Sequence, residues 1–94
     1  MNLEIVRAAK ERRLVNLIYD AKQRTVEIHT YGRTTTGHDT ILCWQIEPLD
    51  VKNGWRLFHV EKITGMKISQ SVWQHGIIRS PYAREVFQIK YATQ

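Results

Sequence analysis

At 94 residues, 43% hydrophobic and 24% charged, the chain has room for one small globular domain, read here as residues 1–94. Its formal net charge of +5 biases partners toward phosphate-bearing or acidic ones. One cysteine, Cys43, excludes an internal disulfide and with it a secreted disulfide scaffold, so the cytoplasm is the expected compartment. No apolar run approaches a membrane span, and Met1 to Arg7 is too poor in apolar residues for a signal peptide.

Leu3 to Arg13 carries no Gly or Pro, has Asn2 as a candidate N-cap and puts Ile5, Val6 and Ala9 on one stripe. That pattern predicts a short amphipathic helix lying over the core. Arg7, Lys10, Arg12 and Arg13 alternate with Glu4 and Glu11, which reads as a mixed-charge solvated face, with a nucleic-acid footprint as the alternative. Leu14 to Tyr19 and Arg24 to Tyr31 are β-rich runs joined by the hairpin loop Asp20-Ala21-Lys22-Gln23. In the second run, alternation turns Val26 and Ile28 to the core and Thr25, Glu27 and His29 to the other side. Gly32 to Gly37, with its threonines, predicts a turn or mobile loop, and a strand follows from about Asp39 to Ile46.

Pro48 and Asn53-Gly54 bracket the next reversal, Asn-Gly being a dipeptide that a tight turn with positive φ prefers. The aromatic and β-branched run after it predicts a strand with Trp55, Leu57 and His59 on one face and Arg56, Phe58 and Val60 on the other. Both faces are partly apolar, as in a central strand. An arginine between buried aromatics must be paired, here with Glu27 or Glu61, or directed at an anion. Met66-Lys67-Ile68 predicts a further short strand. Two readings of Tyr82 to Tyr91 stand. Ser80 as N-cap and Pro81 at N1 open a terminal helix, whereas Val86, Phe87, Ile89 and Tyr91 equally suit a strand.

The fold class is therefore mainly β with a flanking N-terminal helix, its few short strands closing into a small barrel or a strongly bent sheet. The expected core is Val15, Leu17, Val26, Ile28, Leu42, Trp44, Phe58 and Val60. No Gly-rich phosphate loop, nucleophile elbow or C-x-x-C is present, so neither an enzyme nor a cofactor is expected. His29, His38, His59 and His75 with Cys43 match no standard ligand spacing, and no metal site is expected. Glu47 and Asp50 flank Pro48 as turn residues rather than as a hydrolytic pair.

The spacing Arg56, Phe58, Val60, Lys62, Ile63 resembles the closing segment of WYL domains, small bacterial sensory modules whose pattern there is R-x-F-x-l-x-R-i. Val15 to Asp20 is similar to the family's first strand ending in tyrosine, and Arg24 to Gly32 resembles its r-x-V-e-P-h-x-y-G strand. Ile41 to Gln45 sits where the next strand falls, so the likeness runs from Ile5 to Ile68. Asp39-Thr40-Ile41 stands in place of the name-giving tripeptide, Ile28 replaces a proline and Lys62 an arginine. Trp44-Gln45, where short WYL-like variants have Y-Q, draws the chain toward those variants.

The resemblance implies an Sm-like, SH3-type barrel whose pocket residues are Tyr19, Arg24 and Arg56, with Lys62 and Gln45 as further candidates. His29 and His59 fall on neighbouring strands in that order, with Tyr19, Tyr31 and Trp44 interleaved. Basic groups beside aromatic faces suit a nucleotide or single-stranded nucleic acid. The expected function is a ligand-sensing regulatory module that binds such an anion and modulates a partner, with no membrane role. The winged-helix segment of the longer transcription regulators is not expected here, nor is direct promoter recognition. The alternative is a protein-interaction or oligomerisation module that uses the basic barrel face as its interface.

Overall fold

The computed structural model describes residues 1–48, 54–73 and 86–93. Helix α1 (Leu3–Lys10) is followed by β1 (Arg13–Tyr19), β2 (Lys22–Thr34), β3 (Asp39–Glu47), β4 (Trp55–His59), a 3₁₀ turn (Val60–Lys62), β5 (Thr64–Val72) and β6 (Phe87–Thr93). The described chain is mainly β with one flanking N-terminal helix, as the alternation implies.

Asn2 caps α1 through its side-chain oxygen, which accepts from the backbone N–H of Glu4 at 2.9 Å and of Ile5 at 3.2 Å. The helix ends at Glu11, and Arg12 takes a left-handed φ of 54° that turns the chain into β1. Ile5, Ala8 and Ala9 are buried, so the helix covers the core as expected. Glu11 holds Arg7 at 3.0 Å and Arg13 at 3.3 Å, which makes this basic cluster a mixed-charge face engaged with itself.

All strand pairs are antiparallel, in the order β4-β3-β2-β1-β5, with β6 against β2. The thirteen-residue β2 organises this arrangement. Its first part pairs with β1 (Val15↔Val26) and its last part with β6 (Thr30↔Thr93), while β3 runs along its other edge. The β1–β2 connection is tighter than the four-residue loop expected. Only Asp20 and Ala21 turn, at φ 52° and 61°, a two-residue hairpin geometry that matches the twist of its strands. Strand β5 returns to pair with β1. No ladder joins β4 to β5, however, so the sheet of the described residues is bent and open rather than closed.

One of the two readings of the C-terminal segment is realised, and two further expectations are corrected. Residues 87–93 form strand β6, not a helix, because β2 offers the far half of its edge beyond the end of β1. Ser80-Pro81 lies outside the described residues, as do Asn53 and Asp50. Because it pairs with β6 and β3, Gly32 to Thr34 belongs to β2 and not to a loop. A Cβ on Gly32 would strike the carbonyl oxygen of Ile89, so β6 approaches at this position only because the residue is glycine. Beyond His59 the strand gives way to the 3₁₀ turn, so Val60 lies over the edge of the core, half-buried.

The main core joins Ile5, Ala8 and Ala9 to Val15, Leu17, Tyr19, Val26, Ile28, Tyr31, Ile41, Cys43, Phe58 and Ala92. Leu42 and Trp44 face the other way and build a second cluster with Trp55 and Phe87, so the sheet buries parts of both faces. That second covering explains why Glu27 and His29, expected away from the core, are nonetheless almost fully buried.

Candidate functional site

The register brings four of the expected pocket residues to one end of the main core. Leu17↔Arg24, Val26↔Gln45 and Cys43↔Arg56 are facing pairs across β1, β2, β3 and β4. Tyr19 closes β1 beside them, its ring stacked on Phe58 with centroids 4.2 Å apart and planes at 27°. The guanidinium carbon of Arg24 lies 5.1 Å from the Phe58 centroid and 5.9 Å from that of Tyr19. Arg24 Nε donates to the Tyr19 carbonyl at 3.2 Å, and Nη1 to Gln45 Oε1 at 3.0 Å. Gln45 Nε2 in turn donates to the Pro48 carbonyl at 2.8 Å, so only one orientation of the amide satisfies both neighbours.

Arg56 Nη1 donates to the Trp55 carbonyl at 2.8 Å. The Cys43 thiol between the two arginines is fully enclosed and donates weakly to the Arg56 carbonyl at 3.7 Å. Burial pushes this thiol far up, against the opposing pull of Arg56 and then Arg24, so both guanidiniums act on the same buried sulfur. It stays protonated and unreactive. The Tyr19 hydroxyl accepts the backbone N–H of His59 at 3.3 Å, which ties the start of the 3₁₀ turn to the site.

Arg24 is half-buried, and both of its acceptors are neutral. No ion pair of Arg24 occurs among the described residues. Glu27 Oε1 is 3.7 Å from His29 Nε2, and Glu61 Oε1 is 3.5 Å from His38 Nδ1.

His29, His59 and Lys62 are not part of this group. His29 lies on the opposite face, stacked on Trp73 at 4.2 Å and edge-on to Trp55 at 4.9 Å. Alternation with Val26 and Ile28 along β2 places it there. Burial lowers its pKa, and Glu27 opposes the shift. His59 faces Thr40 at 3.5 Å and His38, with ring centroids 4.7 Å apart, beside a separate hollow of about 330 Å³. Lys62 is exposed on the 3₁₀ turn.

The interleaved aromatics are also placed differently. Tyr31 is 1% exposed, with its hydroxyl accepting from Asn2, and Trp44 packs edge-on to Trp55 in the second cluster. Tyr19 and Phe58, at 8% and 3% exposed, lie beneath Arg24. These rings support a cation and offer little free face to a base.

A scan against protein-family models, a search of curated proteins and a search of solved structures find no match. The likeness to WYL domains is thus carried by the order and spacing of the segments alone. Among the described residues no group of His, Cys, Asp and Glu is arranged to hold a metal ion, and no helix is long and apolar enough to cross a membrane.

Two features escaped the sequence. Phe58 was read as core, yet it is also the platform for Arg24, because the ring of a core residue reaches the strand end where the arginine crosses it. The second is a groove of about 620 Å³ beside Arg24, built from residues whose only signal was polar alternation on β1 and β2.

Proposed function

We propose that this chain is a WYL-like sensory module that binds a nucleotide-type or nucleic-acid anion between Arg24 and Arg56 and so modulates a partner, in a compartment where thiols stay reduced. One observation carries the reading. Arg24 is held half-buried over Phe58 and Tyr19 by two neutral carbonyl acceptors. A guanidinium has five N–H donors, and sequestering its charge is costly without a counter-charge. A phosphate oxygen supplies both the missing charge and the missing acceptors. With the rings covered, recognition falls on the anion, and bases contribute by lying on the guanidinium plane.

The partner reading keeps support of its own, since the outer edges of β4 and β5 carry no strand among the described residues. Light scattering after size exclusion addresses it directly, a single monomeric species speaking against self-association.

Thermal-shift titration of the wild type with nucleotides, cyclic nucleotides and short oligonucleotides tests the pocket. A ligand that binds only the native state raises its melting temperature. Arg56→Lys keeps the charge but loses the planar fork, and is expected to weaken binding by about 1–3 kcal/mol with the fold intact. A sharp stability loss in Arg56→Ala with unchanged affinity in the folded fraction would leave the pocket reading without support.

A further inference from the structure

Resting on that reading, we infer that Lys22 is a further binding residue of the pocket, and that the group it holds with Arg24 is a terminal phosphate, the phosphomonoester of a nucleotide or of a strand end, rather than an internal phosphodiester. The β1–β2 ladder brings the two cations together. It runs without a register shift from Leu17↔Arg24 through Ile18↔Gln23 to Tyr19↔Lys22. Lys22 and Arg24 therefore alternate onto one side, the side on which Leu17 and Tyr19 enter the core. Two steps along a strand separate their Cα atoms by roughly 6.7 Å, which the four-carbon stem of a lysine spans. Lys22 also stands directly across from Tyr19, whose ring centroid is 5.9 Å from the Arg24 guanidinium carbon.

The donors that Arg24 has left select the kind of phosphate. Its Nε is engaged by the Tyr19 carbonyl and one Nη1 N–H by Gln45 Oε1, so of the five N–H groups of a guanidinium three remain, two of them on Nη2. These serve two phosphate oxygens. A phosphodiester has only two non-bridging oxygens and one charge, both met by the guanidinium, and would leave Lys22 unused. A phosphomonoester presents three oxygens and a charge of about −2 near neutral pH. The third oxygen and the second charge then fall to Lys22, which is exposed and makes no hydrogen bond or ion pair among the described residues. An ammonium with three rotatable donors follows that oxygen while the planar guanidinium fixes the other two.

The test uses the intact chain at low salt. Fluorescence anisotropy compares an eight-residue oligothymidylate, labelled at its 3′ end, carrying either a 5′-phosphate or a 5′-hydroxyl. Calorimetric titration compares thymidine 5′-monophosphate with thymidine 3′,5′-cyclic monophosphate and so tells a free nucleotide from a strand end. In the arm that binds, the phosphomonoester should be held at least roughly tenfold tighter than its counterpart. Lowering the pH from about 7.5 to about 5.5, across the second phosphate ionisation at about 6, should shrink that ratio. Lys22→Gln should keep the melting temperature and lose roughly tenfold for the phosphomonoester alone, and Lys22→Arg should restore most of the loss. Equal affinity for the paired probes, or a Lys22→Gln loss shared by both, overturns the terminal phosphate and leaves the pocket. A phosphomonoester preference that survives Lys22→Gln removes Lys22 from the site. Binding that is indifferent to Arg24→Lys, or binding of none of the four probes, overturns the pocket reading and this inference with it.

Discussion

Arg24 and Phe58, far apart in the chain, meet with the guanidinium carbon 5.1 Å from the ring centroid, so that one side chain serves both as core and as the bed of a charge. Phe58 also stacks on Tyr19, whose carbonyl anchors the same guanidinium. Stability and the seating of Arg24 therefore share this contact.

Phe58→Ala removes a ring that is 3% exposed, and truncation of a buried aromatic costs about 3–5 kcal/mol. For a domain of this size that is a large fraction of the total. Urea unfolding followed by circular dichroism should show the midpoint falling steeply. Phe58→Leu, which retains apolar volume but no π face, should recover much of the stability while leaving Arg24 less well seated.

The β1–β2 turn makes a contrary prediction. Ala21 holds φ at 61°, a conformation that is strained by roughly 1–2 kcal/mol for an L side chain. Ala21→Gly should relieve most of that strain, less what glycine costs by loosening the unfolded chain, for a net gain of about 0.5–1 kcal/mol. A rise in melting temperature with unchanged ligand affinity is the expected result.

How far the fold was legible follows from where each element finds its partner. Strands β1, β2 and β3 and the Asn2-capped helix write their alternation or stripe into contiguous residues, and Val15, Leu17, Val26 and Ile28 land in the core as read. Strand β6 did not, because Val86 to Tyr91 suits helix and strand alike and only the distant edge of β2 decides. His29 shows the same limit in the site. Its face, opposite to Val26 and Ile28 on β2, is local, but its burial depends on Trp55 and Trp73 arriving from other parts of the chain. Tyr19, Arg24, Gln45 and Arg56 lie together because pairing of adjacent strands brings their ends together. Lys62 was misplaced because the strand carrying it ends early, in the 3₁₀ turn.

His29 gives a pH prediction. Burial between two tryptophans holds its pKa below the ordinary 6.5, with Glu27 pulling it up and Arg12 pushing it further down. Above 6.5 neither the folded nor the unfolded chain protonates it, and the group adds no pH dependence. Below 6.5 the unfolded chain binds the proton first, so stability falls as pH drops from 6.5 toward the lower folded value. The melting temperature should decline across that window, and His29→Gln should flatten the decline. An unchanged slope in the variant would assign the acid sensitivity to other groups.

Gln45 provides the sharpest separation of structure from binding. The buried amide accepts from Arg24 Nη1 and donates to the Pro48 carbonyl, so it positions the guanidinium from behind. Gln45→Glu keeps the acceptor and nearly the same shape, but it sets a carboxylate about one hydrogen bond from Arg24 and leaves the Pro48 carbonyl without its donor. The new ion pair offsets part of that loss, so the melting temperature should change by only a few degrees, about 1 kcal/mol in either direction. Anion binding should nevertheless fall by about 2 kcal/mol or more, because the charge that would meet the ligand is already neutralised. Lowering the pH through the carboxylate range should restore binding in Gln45→Glu as the new group protonates, while the wild type shows no such recovery. If Gln45→Glu binds as tightly as wild type at neutral pH, Arg24 is not where the anion sits.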